Sequence, residues 1–275
     1  MEQKNLFIAV DAALRAGEEI LSIYNDPTSD FEVERKADNS PLTIADRKAH
    51  EAIVAVLRET PFPILSEEGK HLEYVERKKW NELWIVDPLD GTKEFIKKND
   101  EFTVNIALVR NGTPLLGVIY LPVQRELYFA SESLGSYKLV GITQLNDSDT
   151  LTDLVKRAVK LPMEIEMNPY VIVASRSHLS AETEVYVDKK REQHGAVQLI
   201  SSGSSIKLCR VAEGSAHVYP RFAPTMEWDT AAGHAIAKAA GMEIYDADEE
   251  TPLRYNKENL LNPWFIVEKK REHIK

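Results

Sequence analysis

The first 24 residues carry apolar side chains at steps of three and four positions. Leu6, Val10 and Leu14 follow this spacing, which places them on one face of an α-helix. A second stretch at residues 45–58 repeats the period and includes Ile53 and Leu57. The pattern therefore predicts two amphipathic helices at the start of the chain.

A series of apolar runs follows these helices, and such runs are typical of strands. They occupy residues 64–66, 83–86, 102–109, 116–120 and 126–130. Asn111-Gly112 lies between two of the runs, and this dipeptide is a strong signal for a tight hairpin turn. The first half is therefore predicted to form paired helices followed by a largely antiparallel sheet.

The second half alternates apolar runs with helical patterns. Residues 141–160 come before it, lose all periodicity and are typical of an exposed connection. The predicted strands are 170–174, 197–200, 216–219 and 264–267, and the predicted helices are 180–193, 204–213 and 230–240. Such alternation favours an α/β arrangement. We expect residues 1–150 to form an α+β half and residues 151–275 an α/β half of one continuous domain.

The composition is that of a globular protein, with 43% hydrophobic and 28% charged residues in a chain of 275. A net charge of −10 argues against a nucleic-acid-coating protein, which needs a basic surface to displace counterions. The single Cys209 cannot form an internal disulfide. Neither a secretory signal nor an apolar run of about 18 residues is evident. These features predict a cytoplasmic protein without a transmembrane segment, and they leave peripheral attachment to the inner membrane open.

The strongest chemical signal is the sequence Asp-Pro-Leu-Asp-Gly-Thr at positions 87–92. An apolar run delivers Asp87 to the end of a strand, and Gly91 and Thr92 can begin a helix. The carboxylates of Asp87 and Asp90 and the carbonyl oxygen of Leu89 are donors of the kind that hard divalent cations prefer. The free N–H groups at the start of a helix suit a phosphate. The alternative is an ordinary Asx turn followed by a capped helix.

Three further carboxylates have both a chemical and a structural interpretation. Glu67 ends a short apolar run, and with its neighbour Glu68 it can simply be solvated. Asp46 lies three residues after Thr43, which is also the spacing of a capping box. Asp229 precedes a stretch rich in Ala and Gly, where it can be a helix N-cap. The residues by themselves leave these alternatives open.

Three clusters in the second half have polar or basic side chains where a ligand can be contacted. Loops that follow the strands of an open α/β sheet are frequent binding positions. The clusters are Ser177 with His178, Gly203 and Ser204 with Lys207, and Arg221. Each is weak alone, because a lone His or Lys is more often structural or solvated. The histidines have no metal-ligand spacing, so no zinc site is expected.

Together these segments resemble the inositol monophosphatase superfamily of metal-dependent, lithium-sensitive phosphatases. The resemblance rests on Glu67, on the motif at positions 87–92 and on Trp228-Asp229, in this order. Residues 93–95 (Lys-Glu-Phe), 101–108 and 219–233 are similar to its bacterial 3'(2'),5'-bisphosphate nucleotidase branch, the CysQ type. The match runs from residue 36 to 241 at least and is poorest over 141–168. It implies a layered αβαβα fold of the sugar-phosphatase type.

The resemblance also implies the metal ligands and the catalytic groups. One Mg²⁺ would be held by Glu67, Asp87 and the Leu89 carbonyl, and a second by Asp87, Asp90 and Asp229. The active site as a whole would hold two or three ions. The pair Asp46 and Thr92 would orient and deprotonate the attacking water, and Glu67 would support catalysis. Two cations about 3.5–4 Å apart can hold the attacking and leaving oxygens of a phosphate ester.

The substrate contacts implied by the resemblance come from both halves. The reacting phosphate would meet the backbone N–H groups of Gly91 and Thr92. The nucleoside and its other phosphate would meet Ser177, His178, Gly203, Ser204, Lys207, Arg221 and Asp229. An acidic protein can bind such a polyanion because bound cations reverse the local field.

The implied activity is removal of the 3'-phosphate from adenosine 3',5'-bisphosphate in sulfate assimilation, and 3'-phosphoadenosine 5'-phosphosulfate is a further possible substrate. The implied partner is thus a small nucleotide, with the protein a monomer or a homodimer. An inositol monophosphatase or a sugar bisphosphatase is the nearest alternative. A metal-binding regulatory protein without activity is the alternative from another class.

Overall fold

A computed structural model describes residues 1–31, 33–35, 41–70, 72–175 and 180–271. These residues form eight helices: α1 (Glu2–Tyr24), α2 (Ile44–Leu57), α3 (Tyr74–Arg77), α4 (Thr92–Ile96), α5 (Leu151–Arg157), α6 (Ala181–His194), α7 (Ile206–Glu213) and α8 (Glu227–Ala239). None of the helices in the described ranges is long and apolar enough to cross a membrane.

A seven-stranded sheet forms the centre of the first half. Its strands, in spatial and chain order, are β3 (Ile64–Ser66), β4 (Glu82–Asp90), β5 (Thr103–Arg110), β6 (Thr113–Leu121), β7 (Glu126–Ser131), β8 (Gly135–Val140) and β9 (Val159–Leu161). Only the β3–β4 pair is parallel. The predicted antiparallel sheet is therefore confirmed, and the hairpin at Asn111-Gly112 joins β5 to β6 with positive φ at both residues.

A second sheet has five strands in the order β11-β10-β12-β14-β13. These are β10 (Tyr170–Ser175), β11 (Val197–Ser202), β12 (Val218–Arg221), β13 (Met242–Asp246) and β14 (Phe265–Lys269). The first three run parallel, and the last two add antiparallel pairs. Two short strands, β1 (Glu34–Arg35) and β2 (Pro41–Leu42), pair separately near α2.

The elements stack in the order helix, sheet, helix, sheet, helix. One apolar core lies between α1, α2 and one face of the large sheet. A second core fills the space around α7 and α8, between the other face of the large sheet and the small sheet. A smaller core joins the small sheet to α6. The αβαβα layering implied by the family resemblance is thus confirmed.

Helix α8 packs unusually close to both of its neighbours. A Cβ at Gly117 on β6 would overlap the carbonyl oxygen of Ala232, and a Cβ at Gly233 would overlap the side chain of Leu208 on α7. Small residues at both contacts therefore let the helix lie tightly between the large sheet and α7. This position brings its first turn to the end of β4.

The polar stretch at residues 141–160 contains elements that the periodicity did not predict. Helix α5 covers Leu151–Arg157, and β9 pairs with β8 at the edge of the large sheet. The large sheet therefore includes residues beyond position 150, where the sequence pattern suggested a division. Strands β8 and β13 were also not predicted.

Candidate functional site

Three carboxylates meet where the large sheet approaches α8. Asp87 and Asp90 lie in the last residues of β4, and Asp229 lies in the first turn of α8. One carboxylate oxygen of each lies within 4.8 Å of the others. Asp87 is 1% exposed, and the other two are partly buried. The structure thus brings together residues that are 142 positions apart at most, from 87 to 229.

The electrostatics of this cluster favour a cation. Burial raises the pKa of the Asp87 carboxyl well above its ordinary value, and the nearby charges of Glu67 and Asp90 raise it further. Burial also raises the pKa of Asp229, with Asp90 as the next cause. A divalent cation among the oxygens would offset both the desolvation and the mutual repulsion. The donor set of carboxylates is the one that hard cations prefer.

Glu67 and Leu89 lie beside the cluster, as the sequence predicted. The Glu67 N–H donates to the Val86 carbonyl at 3.1 Å, which continues the β3–β4 pairing and sets Glu67 next to Asp87. The Leu89 N–H donates to Asp87 Oδ1 at 3.1 Å. The Asx-type turn and the carboxylate cluster therefore coexist in one segment.

Asp46 has two separate sets of hydrogen bonds. Its Oδ2 accepts the Thr43 N–H at 2.7 Å and the Thr43 hydroxyl at 2.6 Å, which completes a capping box at the start of α2. Its Oδ1 accepts the Thr92 hydroxyl at 3.0 Å. Burial raises the pKa of Asp46. The carboxylate is therefore both a cap and the partner of the threonine next to the cluster.

Asp229 is not the N-cap of α8 but its third helical residue. The N-cap is Met226, and its N–H donates to Asp229 Oδ2 at 2.8 Å. The side chain therefore completes the capping interaction from inside the helix, as the third residue of a capping box does.

A cleft next to the carboxylates contains most of the basic and polar residues predicted in the second half. Its lining includes Asp90 and Asp229 together with Ser204, Lys207 and Arg221. Ser204 has a φ of +38°, a region that is costly for a residue with a side chain. The Oγ of Ser204 and the Nε of Arg221 are buried and have no hydrogen-bond partner within the described residues.

Gly203 lies in the same cleft and is required by a close contact. Its N–H donates to Glu101 Oε2 at 2.8 Å, and a Cβ would lie 2.9 Å from the Glu101 carbonyl oxygen. Gly91 begins α4 with a φ of +96°, which favours glycine. Gly203 is thus favoured by the close approach of Glu101, and Gly91 by its backbone conformation.

Lys207 is an almost fully buried cation at 5% exposure. Its Nζ donates to the carbonyl oxygens of Ser202 at 3.2 Å and of Ser204, and it lies 5.5 Å from the centre of the Tyr219 ring. Burial lowers the pKa of Lys207 to about 8, although the charge of Asp90 opposes this shift. The ammonium group therefore lines the cleft and loses its proton at a lower pH than an exposed lysine does.

Comparison with known proteins identifies the family. The profile of the inositol monophosphatase family matches residues 1–274. The chain belongs to this family. It is 45% identical over 258 residues to the 3'(2'),5'-bisphosphate nucleotidase CysQ of Escherichia coli strain K12, covering 93% of this chain and 96% of that protein.

Solved structures of this family have the same fold. CysQ from Bacteroides thetaiotaomicron, a bacterial member of the inositol monophosphatase family, is 66% identical, with a TM-score of 0.92 and 98% of each chain covered. The extragenic suppressor protein suhB from Bartonella henselae is 25% identical, with a TM-score of 0.73 and coverage of 97% of this chain and 94% of that one. The inositol monophosphatase family is metal-dependent, and the acidic cluster is where this chain can hold metal.

Two predicted site residues lie outside the described part of the chain, and two residues that were not predicted contact the carboxylate cluster. Ser177 and His178 lie outside the described residues. Ser205 and Asn105 were not predicted, yet both contact Asp90. Ser205 is next to the predicted Ser204, but nothing in the local sequence marks Asn105, which lies inside an apolar strand.

Proposed function

We propose that the protein is a Mg²⁺-dependent phosphatase that removes the 3'-phosphate of adenosine 3',5'-bisphosphate and leaves AMP. The observation that carries this proposal is the shared cleft, whose lining includes the carboxylates Asp90 and Asp229 together with the cations Lys207 and Arg221. A bisphosphate has one phosphate to be hydrolysed beside metal and one to be retained by basic side chains. The CysQ relatives are named 3'(2'),5'-bisphosphate nucleotidases, which supports a nucleotide with two phosphates as the substrate.

The carboxylate cluster is the proposed metal centre. Glu67, Asp87 and the Leu89 carbonyl would hold one Mg²⁺, and Asp87, Asp90 and Asp229 a second. When bound, the ions would lower the pKa of a water and neutralise the charge on the phosphate. The oxygen-only donor set and the raised pKa values of Asp87 and Asp229 support this assignment.

Asp46 and Thr92 are the proposed pair that activates the water. Thr92 Oγ1 accepts the hydrogen of the attacking water while its own proton moves toward Asp46 Oδ1, to which it already donates at 3.0 Å. The raised pKa of Asp46 makes it a better proton acceptor near neutral pH. The backbone N–H of Thr43, which donates to Oδ2 at 2.7 Å, holds the carboxylate in place during this transfer.

The cleft provides the proposed contacts to the substrate. The backbone N–H groups of Gly91 and Thr92 would face the reacting phosphate. Lys207 would meet the retained phosphate as a point charge and Arg221 as a planar fork. The unpartnered Ser204 Oγ and Arg221 Nε support a ligand with hydrogen-bonding oxygens at this position. Gly203, Ser177 and His178 stay predicted contacts to the nucleotide.

A phosphate-release assay over a panel of esters tests the proposal. With Mg²⁺ present, we expect kcat/KM for adenosine 3',5'-bisphosphate to exceed the values for inositol 1-phosphate and fructose 1,6-bisphosphate. A preference for one of the latter two would reject the substrate but keep the phosphatase. Release from none of them, with Mg²⁺ bound, would favour a regulatory protein. Including 3'-phosphoadenosine 5'-phosphosulfate tests the second nucleotide, and sedimentation distinguishes a monomer from a homodimer.

A further inference from the structure

Ser205 occupies a helix-capping position without capping the helix. It is the N-cap residue of α7, yet its side chain makes no capping hydrogen bond. Serine at this position normally accepts a backbone N–H of the first turn, an interaction that contributes about 1 kcal/mol. Ser205 is 3% exposed, and its hydroxyl is bonded to a group outside α7. Its hydrogen-bonding capacity is therefore used for something other than the stability of α7.

The hydroxyl joins three elements of the proposed metal centre. Ser205 Oγ donates to Asp90 Oδ2 at 2.6 Å and lies 2.8 Å from the carbonyl oxygen of Asp229. Asn105 Nδ2 on β5 donates to Ser205 Oγ at 2.9 Å and lies 3.4 Å from Asp90 Oδ2. Because Ser205 Oγ accepts a hydrogen bond from the Asn105 amide, its own proton is directed toward Asp90 Oδ2 and the Asp229 carbonyl oxygen.

We propose that Ser205, with its orientation set by Asn105, is a positioning residue that fixes the Asp90 carboxylate for metal binding. The inference rests on the proposed function and deepens it. The bond to Oδ2 restricts rotation of the Asp90 carboxylate, which contributes an oxygen to the cluster with Asp87 and Asp229. Groups that orient metal ligands in this way typically change metal affinity or activity 10- to 100-fold, by order of magnitude, when they are removed.

The same residue connects the metal centre with the basic part of the cleft. Lys207 lies in the first turn of α7, two residues after Ser205. The Ser205–Asp90 bond therefore fixes the start of α7 against the end of β4. This contact therefore contributes to the spacing between the proposed metal centre and Lys207.

Isothermal titration of the metal-free protein with MgCl₂ tests the inference directly. We expect Ser205→Ala to weaken Mg²⁺ binding by about tenfold or more. The Mg²⁺ concentration for half-maximal phosphate release should rise in parallel. Asn105→Ala should shift both quantities in the same direction but less, because Ser205 keeps its hydroxyl. This second variant keeps the test decisive if Ser205→Ala does not fold.

Thr150→Ala is the matched control. Thr150 is the N-cap of α5 and, unlike Ser205, accepts the Asp153 N–H of its own helix at 3.3 Å. We expect this variant to lower the melting temperature and to leave Mg²⁺ affinity unchanged. Wild-type Mg²⁺ affinity in both Ser205→Ala and Asn105→Ala would overturn the inference and leave the proposed function intact. A wild-type protein that binds no Mg²⁺ would instead overturn the proposed function.

Discussion

The two sets of hydrogen bonds on Asp46 allow capping and catalysis to be separated by single substitutions. In Asp46→Asn, the amide oxygen can still accept both groups of Thr43, so the cap at the start of α2 is kept. The amide nitrogen then faces Thr92 Oγ1 and reverses the hydrogen bond that now runs from Thr92 to Asp46. The variant therefore keeps the shape of the site and loses its proton acceptor.

The expected magnitudes follow from this geometry. Loss of a general base lowers turnover about 10²- to 10⁴-fold, so we expect kcat of Asp46→Asn to fall by at least about 100-fold. KM should change little, because the group acts in the transition state. The comparison variant is Thr43→Val, which removes the capping hydroxyl but leaves Thr92 untouched. It should cost about 1 kcal/mol of stability, or roughly 2–4 °C in melting temperature for a chain of this size.

Steady-state phosphate release and thermal unfolding, measured on both variants at saturating Mg²⁺, check these values. The reasoning requires opposite patterns: slow turnover with near-normal melting for Asp46→Asn, and normal turnover with earlier melting for Thr43→Val. If Asp46→Asn only melts earlier, Asp46 is a helix cap and nothing more. If Thr43→Val loses as much turnover as Asp46→Asn, the position of α2 and not the proton acceptor limits the rate.

Four further predictions concern the metal, the retained phosphate and the fold. Asp90→Asn should lower activity at least about 100-fold while the fold survives, and normal turnover in a Mg²⁺ titration would contradict its assignment. Lys207→Ala combined with Arg221→Ala should raise KM for the bisphosphate by about one to two orders of magnitude, with little change for a simple phosphate monoester; equal losses would contradict the subsite. Burial lowers the pKa of Lys207 to about 8, so its charge is lost as pH rises through that value and kcat/KM for the bisphosphate should fall above it. A kcat/KM that stays constant well above that pH would contradict this prediction. Gly117→Ala should destabilise the protein by about 1–3 kcal/mol, since the methyl group meets the Ala232 carbonyl; unchanged urea unfolding would show that α8 can shift freely.

The sequence predicted those parts of the site whose signals are local. The end of a strand, a turn and the start of a helix lie within the six residues at positions 87–92, so their pattern is complete in one window. The spacing of Thr43 and Asp46 likewise predicts the capping box at the start of α2. The pattern alone could not assign Asp46 a single role. Its second role depends on Thr92, which lies 46 residues away.

The features that were missed depend on contacts between distant segments. Strand β8 contains Lys138, which weakens a strand pattern, and its charge is met by Glu213, 75 residues along the chain. Asn105 reads as a polar interruption of an apolar strand until the register places it opposite Asp87. Its partner Ser205 is 100 residues away. No local periodicity contains such pairings, because they are set by sheet register and layer packing.

The close approach of α8 to β6 also bears on which ion the protein can prefer. Mg²⁺ binds oxygen at about 2.0–2.1 Å and demands octahedral geometry, whereas Ca²⁺ accepts about 2.3–2.6 Å and looser shells. Asp229 is carried by the helix, and Asp87 and Asp90 are carried by the sheet, so the spacing of the oxygens follows the spacing of the two layers. A missing side chain at Gly117 keeps that spacing short. The spacing of the carboxylate oxygens, and with it the size of cation that they suit, therefore depends partly on a glycine that contacts none of them.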